Sequence, residues 1–184
     1  MKITLSVDDG CASDVRVADL ASRYEMDCVF YWPVEWHSLA YDHGYEPLSY
    51  IDALTIASQF EIGSHTVTHR HLTKLNDDEA LEEIAGSKNI LQSIFSQEIS
   101  KFCPPRGYTN DRLTAATLEI YKSQRLTKGE NLVHVHPDSG ANNNKRWQDC
   151  VTEKTTELWF HSWELDKYNL WQELEEWLYE YTRS

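Results

Sequence analysis

Two carboxylates and two imidazoles occur in this sequence at positions from which they could bind a divalent metal ion. Asp8 and Asp9 end a short apolar run near the N-terminus, and His65 and His69 lie four residues apart. Carboxylate oxygen and imidazole nitrogen are ligands of zinc and its first-row neighbours, and three such ligands leave a position for water. We therefore predict one divalent ion bound by Asp9, His65 and His69, with Zn as the first choice and Co, Ni, Mn or Fe as alternatives.

Asp8 stands beside the predicted ligand Asp9 and is available for acid–base chemistry. A bound divalent ion lowers the pKa of water and polarises a carbonyl group. A second carboxylate at such a site can accept a proton from the attacking water. The alternative is that Asp8 is a turn residue hydrogen-bonded to Gly10 or to a later amide. The residue types favour metal-assisted hydrolysis.

Short apolar runs alternate with helical patterns along the chain. The runs predict strands at 2–7, 28–32, 61–64, 101–103, 131–135 and 157–161. Three- and four-residue spacing of apolar side chains predicts helices at 13–24, 48–60, 76–96 and 113–121, and a last helix capped by Asn169. Alternating strands and helices indicate parallel βα units, closed into a barrel or left as an open sheet. We predict a single α/β domain over residues 1–184.

The candidate chemical residues all lie where a predicted strand ends. Asp8 and Asp9 follow the first strand, His65 the third, and His161 the last. Parallel strands bring their carboxyl ends to one edge, where α/β proteins place their active sites. We therefore expect these side chains to meet in one site.

Composition excludes several classes of partner. A net charge of −13 argues against binding to nucleic acid and to anionic membranes. No run of about 18 apolar residues exists that could span a bilayer. The first residues do not resemble a secretory signal, so we expect a cytoplasmic protein with reduced cysteines. The expected partner is a small or soluble substrate.

Four motifs resemble those of the polysaccharide deacetylases with a NodB-type domain, carbohydrate esterase family 4. SVDDG at 6–10 is similar to the family's TFDDG, and SHTVTH at 64–69 is similar to H-[ST]-x-x-H. FCPPRGY at 102–108 resembles a variant of FRPPYG. WFHSWELD at 159–166 is similar to the strand that ends in the catalytic histidine. Their order and spacing cover nearly the whole chain.

The resemblance implies a fold, an activity and site residues. The fold would be a short version of the family's irregular (β/α) barrel. Asp8 would be the catalytic base, His161 the general acid, and the backbone amide of Arg106 would bind the oxyanion beside the metal. The reaction would remove an N-acetyl group from an N-acetylated sugar or oligosaccharide. We assign the substrate contacts to five residues, namely Pro105, Arg106, Tyr108, Trp32 and Trp163.

The third motif departs from the family pattern. Cys103 stands where the family has an arginine that orients the catalytic Asp, and Arg106 occupies a place usually held by an aromatic residue. Arg106 could supply the missing charge, contact an acidic substrate, or form an ion pair at the barrel rim.

The fourth motif, an Asp and a Trp that tune the acid histidine, has no clear match. Glu164 or Asp166 could pair with His161, and Asp149 with Trp147 is a further candidate. His134 and His136 alternate on one predicted strand and could form a polar cluster or an exposed strand end.

Two other functions compete with sugar deacetylation. The chain could be a related C–N amide hydrolase that acts on a non-carbohydrate or acidic small molecule, with Arg106 binding its carboxylate or phosphate. It could also be a carbohydrate-binding module that has lost catalysis through the changes at Cys103 and in the fourth motif. The presence of both Asp8 and His161 argues against the second alternative.

Overall fold

The computed structural model describes residues 2–138 and 146–183. Seven parallel strands form one sheet in the order β5-β4-β3-β2-β1-β7-β6. The strands are β1 Thr4–Asp8, β2 Asp27–Trp32, β3 Glu61–Ser64, β4 Lys101–Phe102, β5 Ser123–Gln124, β6 Leu132–His134 and β7 Glu157–His161. The sheet curls into a half-barrel, so the predicted irregular (β/α) fold is confirmed.

Helices connect the strands on the outside of the curl. They are α1 Asp14–Arg23, α2 Trp36–His43, α3 Tyr50–Ala57, α4 Asp77–Leu81, α5 Ser87–Phe95, α6 Asp111–Ile120, α7 Trp147–Cys150, α8 Ser162–Lys167 and α9 Trp171–Tyr181. A π-helical turn, Glu82–Gly86, joins α4 to α5, and short 3₁₀ turns cover Leu72–Lys74 and Pro105–Gly107. Helices at 77–95 therefore replace the single regular helix predicted over 76–96.

Two further segments differ from the sequence prediction. Residues 36–43 form helix α2, which is not among the predicted helices. Gly44 ends α2 with a φ of 74°, the left-handed conformation that commonly terminates helices. The last helix begins at Trp171 with Leu170 as its N-cap rather than Asn169, whose φ of 55° is incompatible with that role.

Strand register determines which residues share the carboxyl edge of the sheet. β1 lies between β2 and β7, with Asp8 opposite Tyr31 on one side and His161 on the other. On the far side of β2, Ser64 pairs with Phe102 of β4, so the residues after β3 and β4 also meet. All of these strand ends therefore lie along the same edge of the curled sheet.

The central strands are buried on both faces, as expected for a parallel sheet. Leu5, Val7, Phe30 and Phe160 have no exposed surface. No helix in the described part of the chain combines the length and the apolar composition that crossing a bilayer requires. The apolar core fixes the strand ends that carry the site.

Candidate active site

A cavity of about 580 Å³ opens at the carboxyl ends of the strands. Its walls come from the ends of β1, β3, β6 and β7 and from the loops after β4 and β5. The lining residues are Asp8, Asp9, His43, His65, His69, Arg106, Thr127, Lys128, His134, Asp138, Trp159, His161, Trp163 and Glu164.

Asp9 lies among three histidines in this cavity. Its Oδ1 atom is 3.6 Å from His65 Nε2 and 3.4 Å from His69 Nε2. Its Oδ2 atom is 3.6 Å from His161 Nε2. Asp9 has a φ of 84°, a left-handed conformation that is uncommon outside glycine. The turn at the end of β1 therefore directs this carboxylate into the cavity.

The loop after β3 positions His65 and His69, the two histidines predicted as metal ligands. His65 Nδ1 lies 2.7 Å from the carbonyl oxygen of Cys103, to which it donates, so Nε2 faces Asp9. Glu83, in the π-helical turn, accepts hydrogen bonds from the amides of Val67 and Thr68, each at 2.9 Å. The Thr68 hydroxyl also donates to this carboxylate. Glu83 thus holds the residues that separate His65 from His69.

The donor set fits a divalent metal ion. Burial lowers the pKa of His65 to about 4 and the pKa of His69 to about 3, so both imidazoles are neutral, as metal ligation requires. Asp9 Oδ1 is buried without a hydrogen-bond partner among the described residues. A buried carboxylate oxygen with no partner is costly unless a cation completes it. Asp9, His65 and His69 are the residues that would hold such an ion.

Asp8 is paired with Arg125, a residue that the sequence did not indicate. The Arg125 Nη2 atom donates to Asp8 Oδ1. Both side chains are buried, with exposed fractions of 6% for Arg125 and 2% for Asp8. Burial alone would raise the pKa of Asp8, but the charges of Arg125, His65 and His161 lower it below its ordinary value. Asp8 is therefore an ionised carboxylate at neutral pH.

Arg125 reaches Asp8 from the edge of the sheet. It follows β5, and its amide donates to Phe102 of β4 at 2.8 Å. The guanidinium lies 4.9 Å from the ring centre of Tyr31 and 5.3 Å from that of Trp159, inside the curl. Its Nε atom is 3.6 Å from Glu157 Oε1. Arg125 is thus fixed from several sides.

Cys103 occupies the position at which the family pattern has its arginine. It is the next residue after Phe102, fully buried, with its sulfur within 4.8 Å of ligand atoms of Asp8 and His65. The family's arginine would stand there, at the end of β4, whereas this chain carries a guanidinium at the end of the adjacent β5. The hypothesis that Arg106 supplies the missing charge is wrong, because Arg106 is exposed and Arg125 makes the ion pair.

His161 is held by Glu164, one turn into α8. Glu164 Oε2 lies 3.0 Å from His161 Nδ1 and 2.9 Å from His134 Nε2. His134 stacks on Trp159 with ring centres 3.9 Å apart. This carboxylate between two imidazoles leaves Nε2 of His161 facing Asp9 and the cavity.

The same contacts set the protonation of His161. Burial alone would lower its pKa, but Asp9, Glu164 and Asp8 together raise it to about 9. Burial would raise the pKa of Glu164, and its hydrogen bonds to His134 and His161 lower it well below the ordinary value. An imidazolium beside a carboxylate is able to donate a proton at neutral pH.

Of the candidates for the partner of His161, the structure selects Glu164. Asp166 instead accepts hydrogen bonds from Ser13 and, at 2.7 Å, from Trp171 Nε1. Trp147 is buried in the core against Trp177, and Asp149 belongs to the same short helix, outside the cavity.

The five predicted substrate contacts divide into two groups. Arg106 and Trp163 line the cavity, and Trp163 stacks on His161 with ring centres 5.4 Å apart. Pro105 is buried behind the wall, and Tyr108 is 51% exposed and stacks on His71 outside the cavity lining. The assignment of Trp32 is corrected, because this side chain is fully buried in the core.

Trp32 has a structural role that explains its burial. Its Nε1 atom donates to Asp14 at 2.8 Å, and Asp14 also accepts from Ser162, the residue after His161, at 2.5 Å. The Trp32 indole is therefore linked to the site through the buried carboxylate of Asp14, which also binds Ser162.

Sequence reasoning missed Arg125 and the part played by His134. Arg125 follows a strand of two polar residues, which gives no apolar pattern. The alternation of His134 with His136 did indicate a polar face, and the structure directs His134 to Glu164.

Comparison with known proteins agrees with this geometry. The sequence profile of the family described as polysaccharide deacetylase matches residues 1–123. No match was found among curated protein sequences.

Several solved structures share the fold. Peptidoglycan deacetylase PdaC from Bacillus subtilis is 20% identical with a TM-score of 0.66, covering 99% of this chain and 84% of that one. A family 4 carbohydrate esterase from Bacillus anthracis is 18% identical with a TM-score of 0.69, covering 97% and 76%. A family 4 pseudoenzyme from Bacillus anthracis is 15% identical with a TM-score of 0.64, covering 95% of this chain and 61% of that one. From its profile match, motifs and fold, the chain belongs to the polysaccharide deacetylase family.

Proposed function

We propose that this protein is a metal-dependent hydrolase that removes the N-acetyl group from an N-acetylated sugar or oligosaccharide. The observation that carries the proposal is the position of Asp9. The Oδ1 atom of Asp9 faces His65 and His69, and its Oδ2 atom faces His161, the candidate general acid. Asp8 lies next to Asp9 and opposite His161 in the sheet register. Ligands, base and acid therefore converge on one cavity.

A divalent ion, with Zn as the first choice, held by Asp9, His65 and His69 would polarise the amide carbonyl and activate water. Asp8 is ionised, because the guanidinium of Arg125 keeps its pKa low in a buried position. It would accept the proton that the attacking water loses. Arg125 occupies one oxygen of the carboxylate and so orients the other for this task.

His161 would donate a proton to the departing nitrogen. Its Nδ1 atom is engaged by Glu164, so Nε2 is the atom available in the cavity. The raised pKa of about 9 keeps the imidazole protonated at neutral pH. An amine leaves poorly as an anion, so protonation by His161 allows the C–N bond to break.

The turn Pro105–Gly107 supplies a hydrogen-bond donor for the oxyanion. Pro105 has no N–H, and the amide of Arg106 stands in the first turn, where a helix offers no acceptor. Such an amide can stabilise the negative charge that develops on the carbonyl oxygen. Trp163 lines the cavity beside His161, where its apolar ring could contact a sugar.

The buried cysteines are relevant to the cellular location of the protein. Cys11, Cys28 and Cys103 are buried, and burial raises the pKa of each thiol above its ordinary value. Free cysteines are typical of a reducing compartment, where disulfides do not persist. We include a cytoplasmic location in the proposal, with a soluble saccharide as substrate.

Acetate release tests the proposed function. Purified protein is loaded with Zn, Co, Ni or Mn and incubated with N-acetylated mono- and oligosaccharides, alongside the Asp8→Asn variant as a matched control. We expect metal-dependent acetate release by the unaltered protein and its loss in the variant. No release from any saccharide by protein with confirmed metal would reject sugar deacetylation.

The same panel separates the two alternatives. Saccharide binding without acetate release would identify a binding module. Turnover restricted to non-carbohydrate N-acyl compounds would identify a different amide hydrolase.

A further inference from the structure

We infer that the substrate carries an acidic group, a phosphate or a carboxylate, which Arg106 and Lys128 bind at one wall of the cavity. The inference deepens the proposed function and rests on it, since it concerns which N-acylated sugar the site accepts. Both cations line the cavity that contains Asp8, Asp9 and His161.

A close backbone contact brings Arg106 and Lys128 to the same wall. A Cβ atom on Gly107 would lie 2.0 Å from Thr127 Oγ1, so only glycine permits this approach. Gly107 also has a φ of 69°, which favours glycine. Arg106 directly precedes this contact on the loop after β4, and Lys128 directly follows it on the loop after β5. The two cations therefore flank one point of the wall.

Neither cation is neutralised by the protein. Some exposed cations of this acidic chain have carboxylate partners, such as Arg112 with Asp77 and Lys122 with Glu98 at 2.8 Å. Arg106 and Lys128 contact no carboxylate within residues 2–138 and 146–183. In a chain with a net charge of −13, two adjacent cations left without partners at a cavity are available for an anionic ligand.

The carboxylates of the cavity do not compete for these cations. Asp8 is paired with Arg125, and Glu164 is engaged by His134 and His161. Asp9 faces His65, His69 and His161, and Asp138 lines the cavity from the region after β6. The cavity is thus positive on its β4–β5 side, and that side would receive the acidic group.

The backbone at Arg106 supports a functional role for its side chain. Arg106 has φ 60° and ψ 10°, a left-handed conformation that is strained for a residue with a side chain. Strain of this kind persists at sites that bind ligands. The planar guanidinium binds phosphate or carboxylate with two parallel hydrogen bonds, and the lysine adds a compact charge.

Binding of matched sugars tests the inference. The probes are N-acetylglucosamine, its 1-phosphate, its 6-phosphate, and the sugar with a carboxylate at C6. Affinity is measured by calorimetry on metal-loaded Asp8→Asn protein, so that turnover does not interfere. We expect at least one charged sugar to bind about tenfold more tightly than the neutral sugar, with an advantage that shrinks as salt is added. The phosphate and carboxylate arms identify which acid the wall prefers.

Three variants assign the effect to the wall. Arg106→Gln and Lys128→Gln should each reduce the advantage of the charged sugar. Lys122→Gln is the matched control, because it removes the same charge at the amino end of β5, away from the cavity. Equal affinity for neutral and charged sugars would overturn the inference, as would an equal loss in Lys122→Gln.

The two proposals fail in different ways. Charged sugars that bind preferentially but release no acetate from the unaltered protein would reject deacetylation of these sugars and keep the anion site. Acetate release with equal efficiency from neutral and charged sugars would keep deacetylation and reject the anion site.

Discussion

The predicted metal ligands and the residues that set the protonation of Asp8 and His161 differ in how closely they follow the family motifs. On the metal side, Asp9, His65 and His69 stand at the sequence positions of the family motifs. On the other side, one charge comes from Glu164, three residues after His161 in the last motif, and the other from Arg125, which lies in none of the motifs. The predicted metal ligands thus keep their motif positions, whereas the cation beside Asp8 lies at the end of the neighbouring strand.

Removing a metal ligand should have the largest effect. In His69→Ala, one of three predicted ligands is lost, so metal affinity should fall by more than about 100-fold and activity should disappear. Metal titration by calorimetry measures the loss. His71→Ala is the control, because His71 lies two residues away outside the cavity lining. Equal metal affinity in His69→Ala and the unaltered protein would contradict the ligand assignment.

Removing the base should separate chemistry from metal binding. In Asp8→Asn the side chain keeps its shape but cannot take a proton, so kcat should fall about 10³-fold. Metal affinity should change little, since Asp9 provides the carboxylate ligand. Steady-state kinetics at saturating metal provide the test, and a fully active Asp8→Asn protein would reject Asp8 as the base.

Removing Arg125 should affect stability and activity together. In Arg125→Met, the buried Asp8 carboxylate loses its partner, which should cost about 3–5 kcal/mol in the free energy of unfolding. Denaturant titration measures this cost. The double variant Asp8→Asn/Arg125→Met should be more stable than Arg125→Met, because it removes the unpaired charge of Asp8. A double variant as unstable as the single one would show that Arg125 acts through packing alone.

The pH dependence of stability should reverse in the same variant. In the unaltered protein the pKa of Asp8 lies below its ordinary value of 3.8. Its contribution is therefore present above that value and is lost as pH falls through the lower folded pKa. Without Arg125, burial raises the folded pKa, so stability should be lost as pH rises. Denaturant titration of metal-free protein between pH 3 and 8 distinguishes the two slopes.

Replacing Glu164 should change the pH profile more than the maximal rate. Burial lowers the pKa of His161 whereas Asp9 and Glu164 raise it, and activity needs the protonated imidazole. In Glu164→Gln this pKa falls, so the alkaline limb of the kcat profile should move to lower pH. We expect a loss in kcat of roughly 10-fold at pH 8. An unchanged alkaline limb would show that Glu164 does not tune the acid.

Replacing Glu83 should have the smallest effect and only on the metal side. Glu83→Gln weakens the hydrogen bonds to Val67 and Thr68, so metal affinity should fall about tenfold with kcat unchanged at saturating metal. Glu82→Gln on the same turn is the exposed control. Equal effects of the two substitutions on metal affinity would exclude an anchoring role for Glu83.

The predictable parts of this protein are those with a repeated local signal. Apolar runs located β1, β2, β3 and β7 to within one or two residues, and the strand ends then placed Asp9, His65 and His161 at one edge. The prediction of Asp9, His65 and His69 as metal ligands rests on their types and spacing, and the structure brings the three side chains together. These features depend on residues that are neighbours along the chain or at the ends of strong strands.

The charge beside Asp8 could not be predicted in the same way. Arg125 reaches Asp8 only because a two-residue strand pairs with β4 and the sheet curls, and neither leaves a pattern in the sequence. Trp32 was misplaced for a related reason. A strand buried on both faces has no polar alternation to show which side chains face the core.

Exchanging Cys103 and Arg125 tests whether a positive charge beside Asp8 supports the reaction from either strand end. The two residues follow paired strand ends, so Cys103→Arg/Arg125→Cys returns the guanidinium to the position of the family motif. The measurement is kcat/KM for acetate release by metal-loaded protein, compared with Arg125→Cys alone. We expect Arg125→Cys to lose activity. The exchange should raise kcat/KM at least about tenfold above that of Arg125→Cys. A folded, metal-loaded double variant no more active than Arg125→Cys would contradict the claim that a charge beside Asp8, rather than its place in the sequence, supports the reaction.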